Sequence, residues 1–302
     1  MEYYFGILQT LGFHILLGYS AYILLLTGQL SLAQVGFFAI GAYASGILTV
    51  LFEWHILPAL VIGATAAGLM AFLVGFPALR IKGLMLVIAT IAFSEIVRLI
   101  FFNLRWRFEI NGLEVGPDGA QGFREIRYFA ANGWEIYEIV LLIWTIVAVT
   151  TLLLWWLDQI KAGAILRAIG SDELAAESSG INITSVKIAA MACGGVIAGL
   201  SGGLYAHSTT YVDHNTFTIL LATFAVSYPL VGGLKSVFGT LAAVIFIQGI
   251  LIEGLRFLGD YRTILFGALI ILVMNFKPKG IVDENFVKGI SEYLRLNKKL
   301  IK

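Results

Sequence analysis

The sequence is poor in charge: only 13% of its 302 residues are Asp, Glu, Lys or Arg, whereas soluble domains carry about 25%. In their place, 59% of the residues are hydrophobic and the mean hydropathy is +0.89. So little charge cannot cover a folded surface with polar groups, which excludes an ordinary soluble domain. The composition therefore predicts an integral membrane protein.

Basic residues and cysteine are also scarce. The formal net charge is only +1, and no cluster of Lys and Arg predicts a face for nucleic acid. The single cysteine, Cys193, excludes an internal disulfide and a multi-cysteine metal site. Because Cys193 lies in an apolar segment, we expect a buried and inert thiol. We predict no catalytic, cofactor-binding or metal-binding residue on this chain.

A phosphate-binding loop is missing as well. The sequence contains no G-x-x-x-x-G-K-[ST], and the four residues from Gly233 to Ser236 resemble only the end of that motif. The chain therefore has no predicted site for ATP. Energy for any transport must come from another polypeptide or from an ion gradient.

Long apolar runs dominate what is present. A helix needs roughly 20 apolar residues to cross a hydrocarbon core of about 30 Å. We predict an all-α membrane domain at 1–276, a bundle of about nine (8–10) transmembrane helices, followed by a basic tail at 277–302. The predicted spans are approximately 5–26, 30–52, 57–77, 84–103, 137–157, 187–207, 216–232, 238–257 and 263–276.

The distribution of Lys and Arg predicts the orientation, because positively charged loops stay cytoplasmic. With the N-terminus outside, six lie in inner segments and seven in the tail, against five in outer segments. We therefore predict an outer N-terminus and a cytoplasmic C-terminus. This orientation places the loop at 158–186 inside and the loop at 104–136 outside. The outer loop reads equally well as an ordered cap or docking surface and as a solvated loop without a role.

A short polar stretch, "GSDELAAESSGINIT" at 170–184, separates two apolar blocks. Ser171 can cap a helix, Asp172 and Glu173 then occupy its first turn, and Gly180 can end it. These features predict an isolated helix of about two turns. So short a helix needs a packing partner to be stable.

The composition of this helix suits docking. Ala175 and Ala176 are small and permit close approach, while Leu174 and Ile181 offer apolar anchors for the groove of a partner. An ordinary surface helix packed on its own neighbours is equally consistent with the same residues.

Ionisable residues inside the spans are costly and need a partner or a function. Glu95 and Arg98 share a helix face in the fourth span, and Glu253 and Arg256 repeat the spacing in the eighth. We favour structural ion pairs, with a role in the translocation path as the alternative.

Uncharged polar residues form a second set of candidates for the path. Gln29, Ser31 and Gln34 follow the first span and predict a broken helix that lines the path, or simple hydrogen bonding between helices. Ser227 and Tyr228 precede Pro229 in the seventh span, where the proline either exposes a carbonyl or only kinks the helix.

The five residues Gly199 to Gly203 match G-x-S-x-G, with Ser201 as the nucleophile, and His207 and His214 follow. An intramembrane serine hydrolase is one interpretation. However, Gly195, Gly199 and Gly203 recur every four residues, which is typical of a small-residue stripe for close helix packing. We favour the packing stripe, since a nucleophile elbow also needs a strand.

Taken as a motif, "RAIGSDELAAESSGINIT" resembles the cytoplasmic coupling loop of bacterial and archaeal ABC importer permeases of the branched-chain amino acid family. The general importer pattern is Glu-Ala-Ala, three residues, then Gly. Here Leu174 replaces the Glu, with an acid one place earlier at Glu173. Further resembling stretches are "TGQLSLAQVGFFAIGAY" (27–43), "LRIKGLMLVIATIAFSEIVRL" (79–99), "GGVIAGLSGGLYA" (194–206), "VGGLKSVFGTLAA" (231–243) and "KPKGI" (277–281). Their order resembles the LivM-type branch of that family.

The resemblance implies a non-catalytic, multi-pass subunit of a bacterial or archaeal plasma (inner) membrane. Its partners would be a homologous LivH-like permease, two LivG/LivF-like ATPases that hold ATP and Mg, an extracytoplasmic binding protein and the lipid bilayer, without nucleic acid. The ATPase-coupling residues would be Ser171, Asp172, Glu173, Leu174, Ala175, Ala176 and Gly180.

The substrate implied by the resemblance is Leu, Ile or Val. Urea, short amides or other amino acids are alternatives from related systems. A different class, an ion-coupled secondary transporter with Glu95 or Glu253 as its proton site, also stays open.

Overall fold

The computed structural model describes residues 2–78, 81, 83–110, 113–234, 236–259, 261–277, 280 and 281. Arg80, Lys82 and Lys235, which the orientation argument counts as inner charges, lie outside the described residues. So do residues 282–302 of the predicted tail.

Helices make up most of the described chain. They are α1 (Glu2–Leu26), α2 (Gln34–Val50), α3 (Ile56–Ala78), α4 (Leu84–Asn103), α5 (Tyr128–Ala131), α6 (Ile136–Gln159), α7 (Lys161–Ser171), α8 (Glu173–Ser178), α9 (Ile183–Thr209), α10 (Ile219–Gly232), α11 (Val237–Val244) and α12 (Tyr261–Phe276). A π-helix at Ile245–Gly254 continues α11, and short 3-10 turns lie at Gly119–Gln121, His214–Thr216 and Arg256–Leu258. Three short strands are β1 (Phe108–Ile110), β2 (Leu113–Pro117) and β3 (Phe123–Arg124).

The apolar helices agree in position with the predicted spans. Six stretches in the described residues are long and apolar enough to cross a membrane, by length and composition: α1, α3, α4, α6, α9, and α11 with its π-helix. The other three, α2, α10 and α12, are apolar but have 17, 14 and 16 residues. The all-α membrane fold is therefore confirmed at this coarser level.

Helix α9 lies at the centre of the bundle and packs against α1, α2 and α3. The predicted glycine stripe faces α3: a Cβ at Gly195 would overlap the Cβ of Ala71, and one at Gly199 would lie 2.5 Å from the Cβ of Ala67. Real Cβ atoms essentially never come so close to other heavy atoms. The packing interpretation of the stripe is confirmed.

Other glycines bring α9 equally close to its remaining neighbours. A Cβ at Gly202 would overlap the carbonyl oxygen of Phe38 on α2. A Cβ at Gly194 would lie 2.8 Å from the carbonyl oxygen of Ser20 on α1. In lipid, where apolar burial gives little driving force between helices, close packing of this kind supplies much of the association.

The loop at 104–135, here called the cap, has regular structure in its described residues, which are all but 111 and 112, and it contains the three strands. Its three strands form an antiparallel sheet in the order β1-β2-β3, with Phe108 opposite Val115 and Gly116 opposite Arg124. Phe123 also forms a β-bridge with Val212 beyond the end of α9. The ordered-cap alternative is correct, and a docking role stays a prediction.

The loops fall into two groups at opposite ends of the bundle. The rings of His55 and Tyr128 lie 5.9 Å apart, so the α2–α3 connection meets the cap. At the other end, a Cβ at Gly28 would lie 3.4 Å from the Cα of Gly170, so the α1–α2 connection meets α7. This grouping agrees with the predicted alternation of spans, while the number of spans and their orientation stay predictions.

The expectation of a buried Cys193 is wrong. The thiol lies on an exposed face of α9, because the apolar surface of a membrane helix need not be covered by the chain itself. Apolar surroundings in the sequence indicated hydrophobic contact and could not distinguish a protein neighbour from lipid.

The glycine packing of α9 gives a direct test. Gly202→Ala should lower the free energy of unfolding by about 1–3 kcal/mol, because the methyl group overlaps the α2 backbone. Gly267→Ala on α12 is the matched control, since nothing lies within 4 Å of its Cβ position. Thermal unfolding in detergent checks both, and equal melting temperatures for the two variants would contradict the packing role of Gly202.

Candidate functional site

The predicted coupling helix is α8, and it differs from the prediction in its start. Asp172, not Ser171, caps it: the Asp172 carboxylate accepts hydrogen bonds from the backbone N–H groups of Leu174 (2.9 Å) and Ala175 (3.1 Å). Ser171 is the last residue of α7, and its hydroxyl donates to the carbonyl of Arg167. A carboxylate caps as well as a hydroxyl does, so the pattern alone could not choose between adjacent candidates.

Helix α8 is also shorter and less isolated than predicted. It has six residues, and α7 precedes it directly. Ala176 is buried, whereas the side chain of Leu174 is 78% exposed. The helix thus packs by its alanine side and presents a leucine outward.

The end of α8 is built around Gly180. This residue has φ +83°, and the N–H of Ile181 returns to the carbonyl of Ala176 at 3.2 Å. Nothing lies within 4 Å of a Cβ at Gly180, so the glycine is needed for its backbone conformation and not for space. The predicted helix end is confirmed.

A buried lysine connects α8 to α9. The ammonium of Lys187, 10% exposed, forms an ion pair with the carboxylate of Glu173. Lys187 lies one turn into α9, so this contact joins the predicted coupling helix to the central helix of the bundle. Sequence reasoning missed it, although a lysine at the start of an apolar helix is a signal that a carboxylate lies nearby.

Helix α7 is held by a second polar cluster at Asp158, near the end of α6. Arg167 donates to the Asp158 carboxylate at 2.9 Å and to its backbone carbonyl at 2.9 Å, and the Tyr22 hydroxyl donates to the same carboxylate at 2.9 Å. The Asp158 side chain is 11% exposed. The cluster therefore ties α7 to both α6 and α1.

The α1–α2 connection contains the predicted break. Residues 27–33 are not helical, and Gln29 and Gln34 are 4% and 0% exposed. Among the described residues, the side-chain oxygen of Gln29 and both amide atoms of Gln34 are buried without a hydrogen-bond partner. Ser31 is buried too, and its hydroxyl oxygen accepts from the N–H of Ala33 at 3.2 Å.

This break is attached to α4 as well as to α7. The N–H of Leu32 donates to the Thr90 hydroxyl at 3.1 Å, and the Ser94 hydroxyl donates to the Leu32 carbonyl at 2.9 Å. A Cβ at Gly170 of α7 would overlap the carbonyl oxygen of Leu26. Discontinuous helices with free polar groups are typical of transport sites.

Glu95 and Arg98 form the predicted ion pair on α4. Arg98 donates through Nε (2.9 Å) and Nη2 (2.5 Å) to the two carboxylate oxygens of Glu95. Their side chains are 49% and 22% exposed, on a face that the described chain does not cover. The interpretation as an ion pair is confirmed.

Glu253 and Arg256 do not form the expected pair. The π-helix ends at Gly254 and a 3-10 turn begins at Arg256. The α-helical spacing that would bring the two side chains together is therefore lost, and no ion pair joins them.

Ser227 and Tyr228 lie in the interior of the chain. The Ser227 hydroxyl donates to the carbonyl of Phe224 at 2.9 Å, and the hydroxyl of Tyr228 lies 2.8 Å from Nδ1 of His14. Both residues are at most 2% exposed.

The serine-hydrolase interpretation lacks its geometry. Ser201 lies in the middle of α9, is 0% exposed, and donates to the carbonyl of Phe13 at 2.8 Å. Nε2 of His207 lies 2.9 Å from the hydroxyl of Thr49. Ser201 is thus on a continuous helix and its proton is directed to a backbone carbonyl. Among the residues that the structure describes, no group of three His, Cys, Asp or Glu could hold a metal ion.

A family model described as branched-chain amino acid transport system / permease component matches residues 3–274. The chain belongs to this family. Known members include the high-affinity permease proteins named LivM of Salmonella typhimurium and Escherichia coli, each 29% identical over 283 residues. The match covers 85% of this chain and 64% of each relative, so the chain spans less than two thirds of their length.

A third relative is named for the same transport system. The probable branched-chain amino acid transport permease protein LivM of Methanocaldococcus jannaschii is 28% identical over 247 residues, which is 74% of this chain and 68% of the relative. No solved structure matches the chain.

Removing the carboxylate that pairs with Lys187 tests the joint between α8 and α9. Glu173→Gln leaves a buried ammonium without its carboxylate and should cost roughly 1–3 kcal/mol, less than a fully buried pair because Glu173 is partly exposed. Amide hydrogen exchange at residues 174–180 should accelerate.

Glu177→Gln is the matched control, on the same helix but exposed. It should leave the exchange rates and the melting temperature unchanged. Equal effects of the two substitutions would show that the ion pair does not hold α8.

Proposed function

We propose that the chain is a transmembrane permease subunit of an ATP-driven importer for branched-chain amino acids. Its family and the α8 region support this proposal together. The subunit would form half of a pathway with a second, homologous permease. Two ATPase subunits would bind ATP and Mg, and an extracytoplasmic binding protein would deliver Leu, Ile or Val.

The observation that carries the proposal is the construction of α8. A short helix with an exposed leucine is capped at both ends and ion-paired to the central helix. Such a helix can receive a force from a docked partner and pass it into the bundle. An unsupported surface loop would absorb the same force by bending.

The proposed orientation has the N-terminus outside and α8 in the cytoplasm, in the plasma (inner) membrane of a bacterium or archaeon. Two observations support it. Most Lys and Arg lie in the segments predicted to share a membrane side with α8, and the loops meet in two groups. In this arrangement the cap faces the binding protein and α8 faces the ATPases.

Movement would pass from α8 to the membrane by two routes. Glu173 and Lys187 lead into α9, whereas Arg167 and Asp158 lead into α6 and α1. Because α9 packs by glycines against α1, α2 and α3, a shift of its inner end moves these helices together. The result would be a tilt of the packed helices between outward and inward access. No catalytic residue on this chain would take part.

The exposed ion pair on α4 supports a position for the second permease. An ionised Glu95–Arg98 pair is costly against lipid, so this face of α4 is expected to border protein or a water-filled path. The buried side-chain oxygen of Gln29 and the buried amide of Gln34 have no partner among the described residues, and both belong to the break that Thr90 and Ser94 of α4 hold.

Substitution of Gly180 tests coupling. Gly180→Val forces a β-branched residue to φ +83° and should abolish ATP-dependent leucine uptake in vesicles that contain the partner subunits, while membrane insertion continues. Gly133→Val in the cap is the matched control, because Gly133 also has positive φ and open space at its Cβ position. Normal uptake by the Gly180 variant would contradict the assignment of α8 as the coupling helix.

Reaction with a maleimide tests the α4 face, since thiols react as thiolates and therefore in contact with water. In a Cys193→Ser background, Leu99→Cys should react, or cross-link to the second permease, because Leu99 lies one turn from Glu95. Leu141→Cys, 66% exposed on α6, should stay unreactive. Two equally unreactive thiols would place the α4 face against lipid.

A further inference from the structure

A groove of about 520 Å³ opens on the surface of the bundle between α6 and α9. Both helices flank α1, whose Ile23 lines the groove between them. Leu154 and Trp156 contribute from α6, and Ala189 and Cys193 contribute from α9. The groove is the place into which the unexpectedly exposed thiol of Cys193 projects.

The chemistry of the groove excludes a polar ligand. Its side chains are aliphatic apart from Trp156 and Cys193, and no charged side chain lines it. An amino acid or a hydrated ion would lose its solvation there without gaining a partner. The occupant must therefore be apolar along most of its length.

A cation borders the groove. Helix α7 lines the groove with Ala162 and Ile165, and its first residue, Lys161, directly precedes Ala162 and is exposed just after α6 ends. Arg167 is already bound to Asp158, whereas Lys161 has no carboxylate partner among the described residues. A phosphate group can therefore approach Lys161 while a hydrocarbon chain fills the groove.

The charge beside the groove favours a phospholipid over an apolar helix of a neighbouring protein. A phospholipid presents an acyl chain and a phosphate together, so one molecule can fill the groove and meet Lys161. A single acyl chain is thin and flexible enough to follow the walls. We propose that the groove is a binding site for one acyl chain of an anionic phospholipid, with the lipid phosphate at Lys161.

A lipid held in this way would fill the space beside α7, which carries α8. The site would brace α7 on the side opposite to its Asp158 cluster. The proposal does not depend on the transported substrate, because it rests on the groove and its rim alone.

Native mass spectrometry of the full-length chain tests the proposal, after delipidation and incubation with phosphatidylglycerol or phosphatidylcholine. The unchanged chain should retain one phosphatidylglycerol. Ala189→Trp fills the groove and should lose it, whereas Leu152→Trp, exposed on α6 outside the groove, should keep it. Equal retention by both tryptophan variants would overturn the site.

The cation is tested separately. Lys161→Gln should reduce the preference for phosphatidylglycerol over phosphatidylcholine about fivefold, the contribution expected of one basic residue near anionic lipid. Lys277→Gln, a matched loss of one lysine elsewhere, should leave the preference unchanged. An unchanged preference in the Lys161 variant would remove the phosphate from the proposal and overturn it.

Cys193 provides a measurement that needs no substitution, because it is the single cysteine of the chain. Its reaction with N-ethylmaleimide should be several-fold slower after phosphatidylglycerol is added than in the delipidated protein, because a bound acyl chain covers the thiol. A rate independent of lipid would overturn the proposal even if Ala189→Trp failed to fold. So would a cross-link from Cys193 to a second permease, since it would show that protein covers the groove.

Discussion

Close backbone contact between α9 and the helices α1, α2 and α3 is the constraint on which the rest of the structure depends. Glycines on three faces of α9 let it approach neighbours at distances that a methyl group would prevent. In lipid, where apolar surface gains little by leaving its surroundings, such contact supplies the cohesion that a hydrophobic core supplies in water. The same contact makes α9 a stiff connection between the two ends of the bundle.

Each end of α9 is attached to a part of the chain that has a proposed partner. Near the N-terminal end, Lys187 joins it to α8 through an ion pair. Beyond the C-terminal end, Val212 pairs with Phe123 and so joins it to the cap. The described fold thus links the face proposed for the ATPases to the face proposed for the binding protein without a flexible segment between them. Membership of a permease family supports the proposal that this arrangement passes movement from a partner ATPase into the bundle.

Much of this could be predicted from local patterns. The spacing of Gly195, Gly199 and Gly203 predicted a packing face. Gly180 predicted a helix end, and the polar run after α1 predicted a break. Features that depend on distant residues could not be predicted in this way. The pairing of Lys187 with Glu173, the binding of Arg167 and Tyr22 to Asp158, and the exposure of Cys193 are set by tertiary packing. The prediction of the N-cap residue of α8 was wrong for a simpler reason. Ser171 and Asp172 can both cap a helix, and only the end of α7 decides between them.

The central claim is that α8 and the cap lie on opposite sides of the membrane, with α8 in the cytoplasm. Labelling of single cysteines with a membrane-impermeant maleimide tests it most directly, at Ser178 on α8 and at Arg124 in the cap, after Cys193 is replaced by serine. In intact cells the cysteine at 124 should be labelled and the one at 178 protected, with the reverse in inside-out vesicles. Labelling of position 178 from outside, or of both positions from one side, would contradict the account.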